Sequence, residues 1–330
     1  MRFLLGCALA AALLWWLLQG VDTASALRQV QALPALLWGL GPLGLVASYG
    51  LRAARVRSEL QHLQPVRWAS AWQVTLVHNA AVNLLPMRGG ELAYPYLVHK
   101  KLGIAPAQSL ASLLWMRLQD LLVLCALALL LLLPLALPLR LLLALGFAAL
   151  VALGLRWARG RVTRAPRPGE SGLAKPKAAN ALADETAAPA KAWRIRLRRL
   201  LQSTRPVLLA LADGPRHSRA SWLYCIANWA LKLLVIGSVL QAAAALPWPL
   251  ALQGALGGEL AALLPLQGPS GLGTYEAGVW GAVALAQTPT AALPVAALLA
   301  HGFIFATALL AGLLAGGQML LGHNSAPKSS

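Results

Sequence analysis

Long apolar runs are the feature that most restricts what this chain can fold into. Residues 121–133 contain no polar side chain, and residues 3–19 and 139–157 are almost as apolar. A helix needs about 20 such residues to cross a bilayer, and continuous runs of this kind lack the alternation of a membrane β-barrel. The chain is 58% hydrophobic and 12% charged, whereas soluble domains carry about 25% charged residues. We therefore predict an all-α polytopic membrane protein.

The basic charge is concentrated in one hydrophilic segment. The chain has 28 Lys and Arg against 10 Asp and Glu, a net charge of +18, and 15 of the basic residues lie between residues 156 and 219. Basic loops mark the cytoplasmic side of a membrane and attract anionic headgroups, so no nucleic-acid partner is predicted. Within this loop, residues 165–191 are predicted to be disordered. Residues 191–212 are predicted to form a basic amphipathic segment on the membrane surface, with a solvated helix as the alternative.

Six apolar runs are predicted to span the membrane. They are residues 3–19, 33–51, 107–133, 139–157, 220–246 and 291–320. The first run is interpreted as a retained helix rather than a signal peptide, although Ala24-Ser25-Ala26 resembles a cleavage site. The loop that follows residue 51 is basic and carries Arg52, Arg55, Arg57 and Arg67. The positive-inside rule therefore places both termini in the cytoplasm, and we expect a multi-pass protein of the cytoplasmic (inner) membrane.

These runs divide the chain into two membrane halves and a connecting loop. The N-terminal half covers residues 1–157 and the C-terminal half residues 220–320. The basic cytoplasmic loop is residues 158–219, and residues 321–330 form a cytoplasmic tail.

Two interrupted apolar segments resemble each other across the halves. The first reads Asn83-Leu84-Leu85-Pro86-Met87-Arg88-Gly89-Gly90-Glu91, and the second reads Leu263-Leu264-Pro265-Leu266-Gln267-Gly268 and runs on to Gly271-Leu272-Gly273-Thr274-Tyr275-Glu276. Proline ends a helix, so each segment is predicted to be the tip of a re-entrant hairpin, residues 68–98 and 250–286. Irregular backbone at that depth must be buried in protein or face a wet cavity. Broken helices in corresponding positions of two halves predict an inverted-repeat transporter.

Four carboxylates lie inside the apolar segments: Glu91, Asp120, Glu259 and Glu276. Each ionisable group costs about 2.5–3.5 kcal/mol at the centre of a membrane helix, so it faces a cavity or a partner. Arg117 and Asp120 are three residues apart and share a helix face. Structural pairing of Arg117 with Asp120, or of Arg88 with Glu91, is the alternative to a functional role. Lys232, His78 and His301 are weaker candidates, for which a packing role is the alternative.

The glycine-rich stretch 271–276 lacks the third glycine of a dinucleotide fingerprint. It is predicted to be a loop that enters a helix N-terminus, where free N–H groups attract a phosphate; a plain turn is the alternative. No metal-ligand spacing or catalytic motif is present. The residues therefore predict no metal and no cofactor, and they give no reason to expect an enzyme.

These motifs resemble the lysylphosphatidylglycerol synthase transmembrane (flippase-like) family, over nearly the whole chain to residue 320. The family pattern Asn-x-x-Pro-x-Arg-x-Gly-Glu is met by Asn83, Pro86, Arg88, Gly90 and Glu91. The later pattern Gly-Gly-x-Gly-x-x-Glu is met in part, with Ser270 in place of the first glycine, by Gly271, Gly273 and Glu276. The resemblance implies lipid translocation without the aminoacyl transferase domain of the bifunctional members.

The resemblance also implies the site. Members often carry arginine where this chain has Tyr94 and Tyr275, and tyrosine has no fixed charge, so an anionic headgroup would be held less firmly. The implied substrate-binding residues are Asn83, Arg88, Gly90, Glu91, Tyr94, Gly271, Gly273, Tyr275 and Glu276. The secondary polar residues are Arg117, Asp120, Lys232 and Glu259.

Three functional hypotheses follow. The first is a flippase-like transporter of a lipid or lipid-linked headgroup, with membrane lipids that carry a phosphate headgroup as partners. The second is an accessory subunit of a glycolipid or hopanoid pathway that works with a lipid-biosynthesis enzyme. The third is an integral-membrane transferase or hydrolase acting on lipid-linked phosphates, with Glu91 or Glu276 as general base.

Overall fold

The fold is a bundle of helices. The computed structural model describes residues 2–19, 21–162, 219–264 and 267–324, without the side chains of 2–5, 86–88, 158–162, 320 and 322–324. All regular structure in these ranges is helical, which confirms the predicted all-α fold. The helices are α1 (Arg2–Leu18), α2 (Thr23–Gln31), α3 (Ala35–Leu60), α4 (Trp68–Leu84), α5 (Ala93–Leu102), α6 (Pro106–Leu131), α7 (Leu137–Val162), α8 (Arg219–Ala244), α9 (Trp248–Ala261), α10 (Thr274–Ala284) and α11 (Leu293–Asn324). The predicted amphipathic segment 191–212 lies outside the described residues.

Four helices of the described ranges are long and apolar enough to cross a bilayer. They are Pro106–Leu131, Leu137–Trp157, Arg219–Ala244 and Leu293–Met319. A fifth span is added if Gly6–Leu18 and Thr23–Gln31, which are bent by 88° at their junction, count as one. The protein is therefore a multi-pass membrane protein, while the count of six spans stays a prediction.

The surface of α7 shows most directly that this bundle is solvated by hydrocarbon. None of the residues in its most apolar window is buried inside the protein. Leu145 and Leu150 are 68% and 71% exposed. A continuous apolar surface of this kind leads to aggregation in water, whereas lipid tails solvate it.

Helix α3 continues past the predicted end of its apolar run. It extends to Leu60, so Arg52, Arg55 and Arg57 lie on a helix, and the prediction that they lie in a loop is wrong. The side chain of Arg55 is buried, 2% exposed, because acceptors on α6 surround it. Buried arginine is tolerated when it is paired and hydrogen-bonded, and this compensation cannot be detected in the local sequence.

The first predicted hairpin consists of α4, a 3₁₀ segment over Pro86–Leu92 that we call the first break, and α5. Leu85 adopts an extended conformation, because a residue that precedes proline is pushed out of the helical region. The first break lies directly on α4. A Cβ atom added to Gly90 would be 2.3 Å from the backbone of Ala81, so only glycine fits at that position.

The second predicted hairpin consists of α9, a 3₁₀ turn over Pro269–Gly271 that we call the second break, and α10. Its two helices are in close contact through small residues. A Cβ atom on Gly257 would lie 2.3 Å from the Cβ of Ala282, and one on Gly278 would lie 2.5 Å from the Cβ of Ala261. Both helices thus carry the small-xxx-small spacing by which membrane helices approach each other closely.

The two breaks meet in the folded chain. The first break contacts the second, and α4 packs against the second break as well. Helix α1 covers the second break from another side, where a Cβ on Gly268 would lie 2.4 Å from the Cβ of Ala10. Two segments about 180 residues apart in the sequence are thereby brought together.

Candidate functional site

A small polar cavity lies where the end of α4 approaches the second break. Its volume is about 130 Å³. Helices α3, α4, α6, α8, α9, α10 and α11 contribute side chains to its wall. The charged residues that line it are Arg52, Arg117, Asp120, Lys232 and Glu259. All four residues of the predicted secondary polar set therefore meet in one place.

An ion-pair network joins this cavity to the first break. The Nη1 atom of Arg55 lies 2.6 Å from Oδ1 of Asp120, and Nη1 of Arg117 lies 3.2 Å from Oδ2 of the same residue. The Nη2 atom of Arg117 donates to Oε2 of Glu91 at 2.9 Å. The predicted pairing of Arg117 with Asp120 is confirmed, and Arg117 additionally links α6 to the first break.

Helix α8 completes the surroundings of Asp120. The indole N–H of Trp229 donates to Oδ1 of Asp120 at 3.1 Å, and the thiol of Cys225 lies 3.4 Å from the same oxygen. Both carboxylate oxygens of Asp120 thus receive donors, two of which belong to arginines that stay protonated. The side chain at position 120 must therefore be an anion, because a hydrogen-bond donor there would face other donors.

A second ion pair closes the opposite wall. The Nζ atom of Lys232 donates to Oε2 of Glu259 at 2.6 Å, and the two side chains are 13% and 5% exposed. The ammonium group also lies 5.4 Å from the ring centre of Trp229. The pair connects α8 to α9 and supplies one charge of each sign to the cavity.

The second break is stabilised by a hydrogen-bond relay. Ser270, Gly271 and Gly273 all have positive φ angles, of 58°, 81° and 77°. The backbone N–H of Gly273 donates to Oε2 of Glu276 at 2.7 Å. The Nδ1 atom of His301 lies 2.6 Å from Oε1 of Glu276, and its Nε2 atom lies 3.0 Å from the carbonyl oxygen of Ser270.

This relay fixes the role of the glycine-rich stretch. Both ring nitrogens of His301 face oxygen atoms, so the ring links Glu276 to the carbonyl of Ser270. Glu276 is only 1% exposed. The prediction that this loop enters a helix N-terminus is correct, since α10 begins at Thr274. The backbone N–H of Gly273, just before that helix, is already bonded to the side chain of Glu276.

A family model matches most of the chain. The family described as the lysylphosphatidylglycerol synthase TM region matches residues 3–312. The chain belongs to this family. No curated protein matches the chain.

The residues singled out from the family motifs occupy different positions. Asn83, Gly271 and Tyr275 line the cavity, and Glu91 reaches it through Arg117. Tyr94 lies elsewhere, in an apolar core, with its ring centre 5.3 Å from that of His78. Gly90 and Gly273 permit close approaches of the backbone rather than contacting the cavity wall. The side chain of Arg88 lies outside the described part of the chain.

Arg52 is a member of the site that none of these motifs indicates. It lines the cavity, and its Nη1 atom donates to Oδ1 of Asn79 at 2.8 Å. It forms no ion pair with any carboxylate that the structure describes, unlike the other cations of the cavity. Its spacing of three residues from the buried Arg55 is a signal in the sequence, but it is informative only once α3 is known to continue through both.

Proposed function

We propose that this protein moves a lipid, or a lipid-linked headgroup that carries a phosphate, between the leaflets of the cytoplasmic membrane. The observation that carries the proposal is the meeting of two helix breaks beside a charged cavity within a bundle of membrane helices. Charges at such depth are costly unless they have a function or a partner. Broken helices that meet around a polar site are the usual construction of a transporter binding site.

The size of the cavity suits a headgroup rather than a whole lipid. About 130 Å³ is room for a few water molecules or one phosphate-sized group. A second, larger cavity of about 760 Å³ lies alongside on α3, α4 and α11, and apolar side chains including Val46, Leu76 and Phe303 line it. Val46 precedes Tyr49 of the polar cavity by three residues, and Leu76 precedes Asn79 by three. A polar cavity and an apolar cavity that are lined by the same helices support a substrate with a polar headgroup and apolar chains.

The arrangement of the acidic residues favours transport over catalysis. Glu91 already accepts from Arg117, and Glu276 accepts from Gly273 and faces His301. A general base must reach the proton that it removes, and both carboxylates are occupied by the protein itself. We accordingly propose a transporter that leaves the lipid chemically unchanged, with both termini in the cytoplasm as the basic loops indicate.

Reconstitution tests the proposal. Purified protein in proteoliposomes is expected to exchange fluorescent phospholipids or a labelled polyprenyl-phosphate carrier between leaflets faster than protein-free vesicles. The double variant Lys232→Gln/Glu259→Gln keeps a hydrogen-bonded pair but removes both charges, and we expect it to exchange more slowly. Arg57→Gln, on α3 but outside the cavity, is the matched control. Absence of exchange by correctly folded wild type, or a chemically altered lipid by mass spectrometry, would contradict the proposal.

A further inference from the structure

Arg52 is the one cation of the polar cavity that forms no ion pair with a carboxylate of the described residues, although the charge of Asp120 acts on it from a greater distance. Arg117 has Glu91 and Asp120, and Lys232 has Glu259. The carboxylate of Glu276 faces His301 and the N–H of Gly273, and it forms no ion pair with Arg52. A guanidinium group has five N–H donors, and the structure gives Arg52 one bond, to Asn79.

Three further donors of the same cavity wall have no hydrogen-bond acceptor in the described residues. They are Oγ of Ser48, Nδ2 of Asn79 and the hydroxyl of Tyr275, in side chains only 1%, 3% and 3% exposed. Because Arg52 donates to Oδ1 of Asn79, the amide orientation is fixed and Nδ2 remains a donor. A buried donor without an acceptor costs roughly 1–3 kcal/mol, so three donors in one small cavity favour a ligand that accepts hydrogen bonds there.

We infer that Arg52, Ser48, Asn79 and Tyr275 form a binding site for a phosphate-type oxyanion. Such an anion accepts several hydrogen bonds at once and neutralises the guanidinium. It would therefore pair with Arg52 and also accept from the three other donors. That the natural anion is the phosphate of a membrane lipid rests on the proposed function. The neighbouring apolar cavity provides room for acyl chains, which a free phosphate ion does not require.

The direct test is a binding titration of the purified full chain in detergent. Phosphatidic acid is compared with diacylglycerol of the same acyl chains, which lacks the phosphate, by native mass spectrometry. We expect phosphatidic acid to bind at least about tenfold more tightly, and Arg52→Gln to remove that preference, since a hydrogen bond to a charged group contributes on this order. Arg57→Gln, with its donor engaged by the carbonyl of Val66, should retain it. Retention of the preference in Arg52→Gln would overturn the site.

Tyr275→Phe separates binding from folding. Removing a buried hydroxyl that has no acceptor leaves the ligand-free protein as stable as wild type or slightly more stable. The same change should weaken phosphatidic acid binding about three- to tenfold. Unchanged binding would remove Tyr275 from the site, and a loss of stability in the ligand-free protein would show that its hydroxyl has an acceptor already.

Two further arms separate this inference from the proposed function. Inorganic phosphate should compete with phosphatidic acid only weakly, and equal affinity for both would overturn the lipid as the source of the anion. Lipid exchange that is normal in Arg52→Gln vesicles would overturn the inference and leave transport intact. Arg52-dependent binding by a protein that exchanges no lipid would support the site and contradict transport.

Discussion

The two breaks share a sequence pattern, and the structure gives their glutamates opposite surroundings. Glu91 of the first hairpin faces Arg117, a permanent cation, and its side chain is 21% exposed. Glu276 of the second hairpin faces a backbone N–H and an imidazole ring, and it is 1% exposed. One carboxylate therefore belongs to a charge network beside the cavity, and the other closes a turn.

The difference shows that charge and hydrogen-bonding capacity are separate requirements. Arg55 and Arg117 cannot lose their protons, so the acids that face them must be anions. His301 and the N–H of Gly273 require only suitable hydrogen-bond partners, which a neutral amide also provides. The comparison predicts that neutral substitutions harm the first network much more than the second.

The largest effect is expected at Asp120, the centre of the first network. Asp120→Ala leaves Arg55 buried without its anion, and breaking a buried ion pair costs about 3–5 kcal/mol. Asp120→Asn should lose most of that amount as well, because its amide group would point at donors. Thermal unfolding in detergent measures both variants. The exposed cation Arg28 provides the control, since Arg28→Gln should leave the unfolding temperature unchanged. Tolerance of Asp120→Asn would contradict the requirement for charge.

Close glycine packing should give the next largest effect, in both hairpins. Gly278→Ala places a methyl group 2.5 Å from the Cβ of Ala261, so it is expected to cost about 1–3 kcal/mol. Gly281→Ala is the matched control on the same helix, since no atom lies within 4 Å of its added Cβ. Equal unfolding temperatures for these two variants would show that α9 and α10 are farther apart than described.

In the first hairpin, the test variant and its control are at the adjacent residues Gly90 and Gly89. Gly90→Ala would bring its methyl group 2.3 Å from the Ala81 backbone, whereas Gly89→Ala would meet the Cβ of Leu85 at an ordinary 3.8 Å. We expect Gly90→Ala to lower the unfolding temperature and Gly89→Ala to change it little. Since the added Cβ meets backbone at 2.3 Å on Gly90 and at 2.5 Å on Gly278, the effect at Gly90 should be at least as large as at Gly278.

The smallest effect is expected for Glu276→Gln. The amide oxygen can accept from Gly273, the amide N–H can donate to Nδ1 of His301, and Nε2 of His301 can donate to Ser270. Every partner stays satisfied, so the free energy of unfolding should change by no more than about 1 kcal/mol. Glu276→Ala removes the acceptor and should destabilise more. Equal losses in the two variants, measured by thermal unfolding, would show that the negative charge itself is required.

The sequence predicts the breaks better than the contacts between them. Pro86 determines where α4 ends, and the spacing of Arg117 and Asp120 along one helix predicts their pairing, because both are local properties. The contact of Arg117 with Glu91 joins two helices, and the role of Arg52 depends on the path of α3 beyond its apolar run. Tyr94 shows the converse, since a motif position can hold a core residue. Such features depend on tertiary packing, which local patterns do not encode.

One lipid-exchange experiment tests the comparison of the two breaks most directly. Glu91→Gln and Glu276→Gln are reconstituted side by side, at matched protein density, and exchange of a fluorescent anionic phospholipid is measured. We expect Glu91→Gln to slow exchange about tenfold, because it removes the anion that pairs with Arg117 beside the cavity. Glu276→Gln should stay within about twofold of wild type, since its hydrogen bonds survive. Equal losses, or a greater loss in Glu276→Gln, would contradict the distinction between a charge network at the first break and a hydrogen-bonded turn at the second.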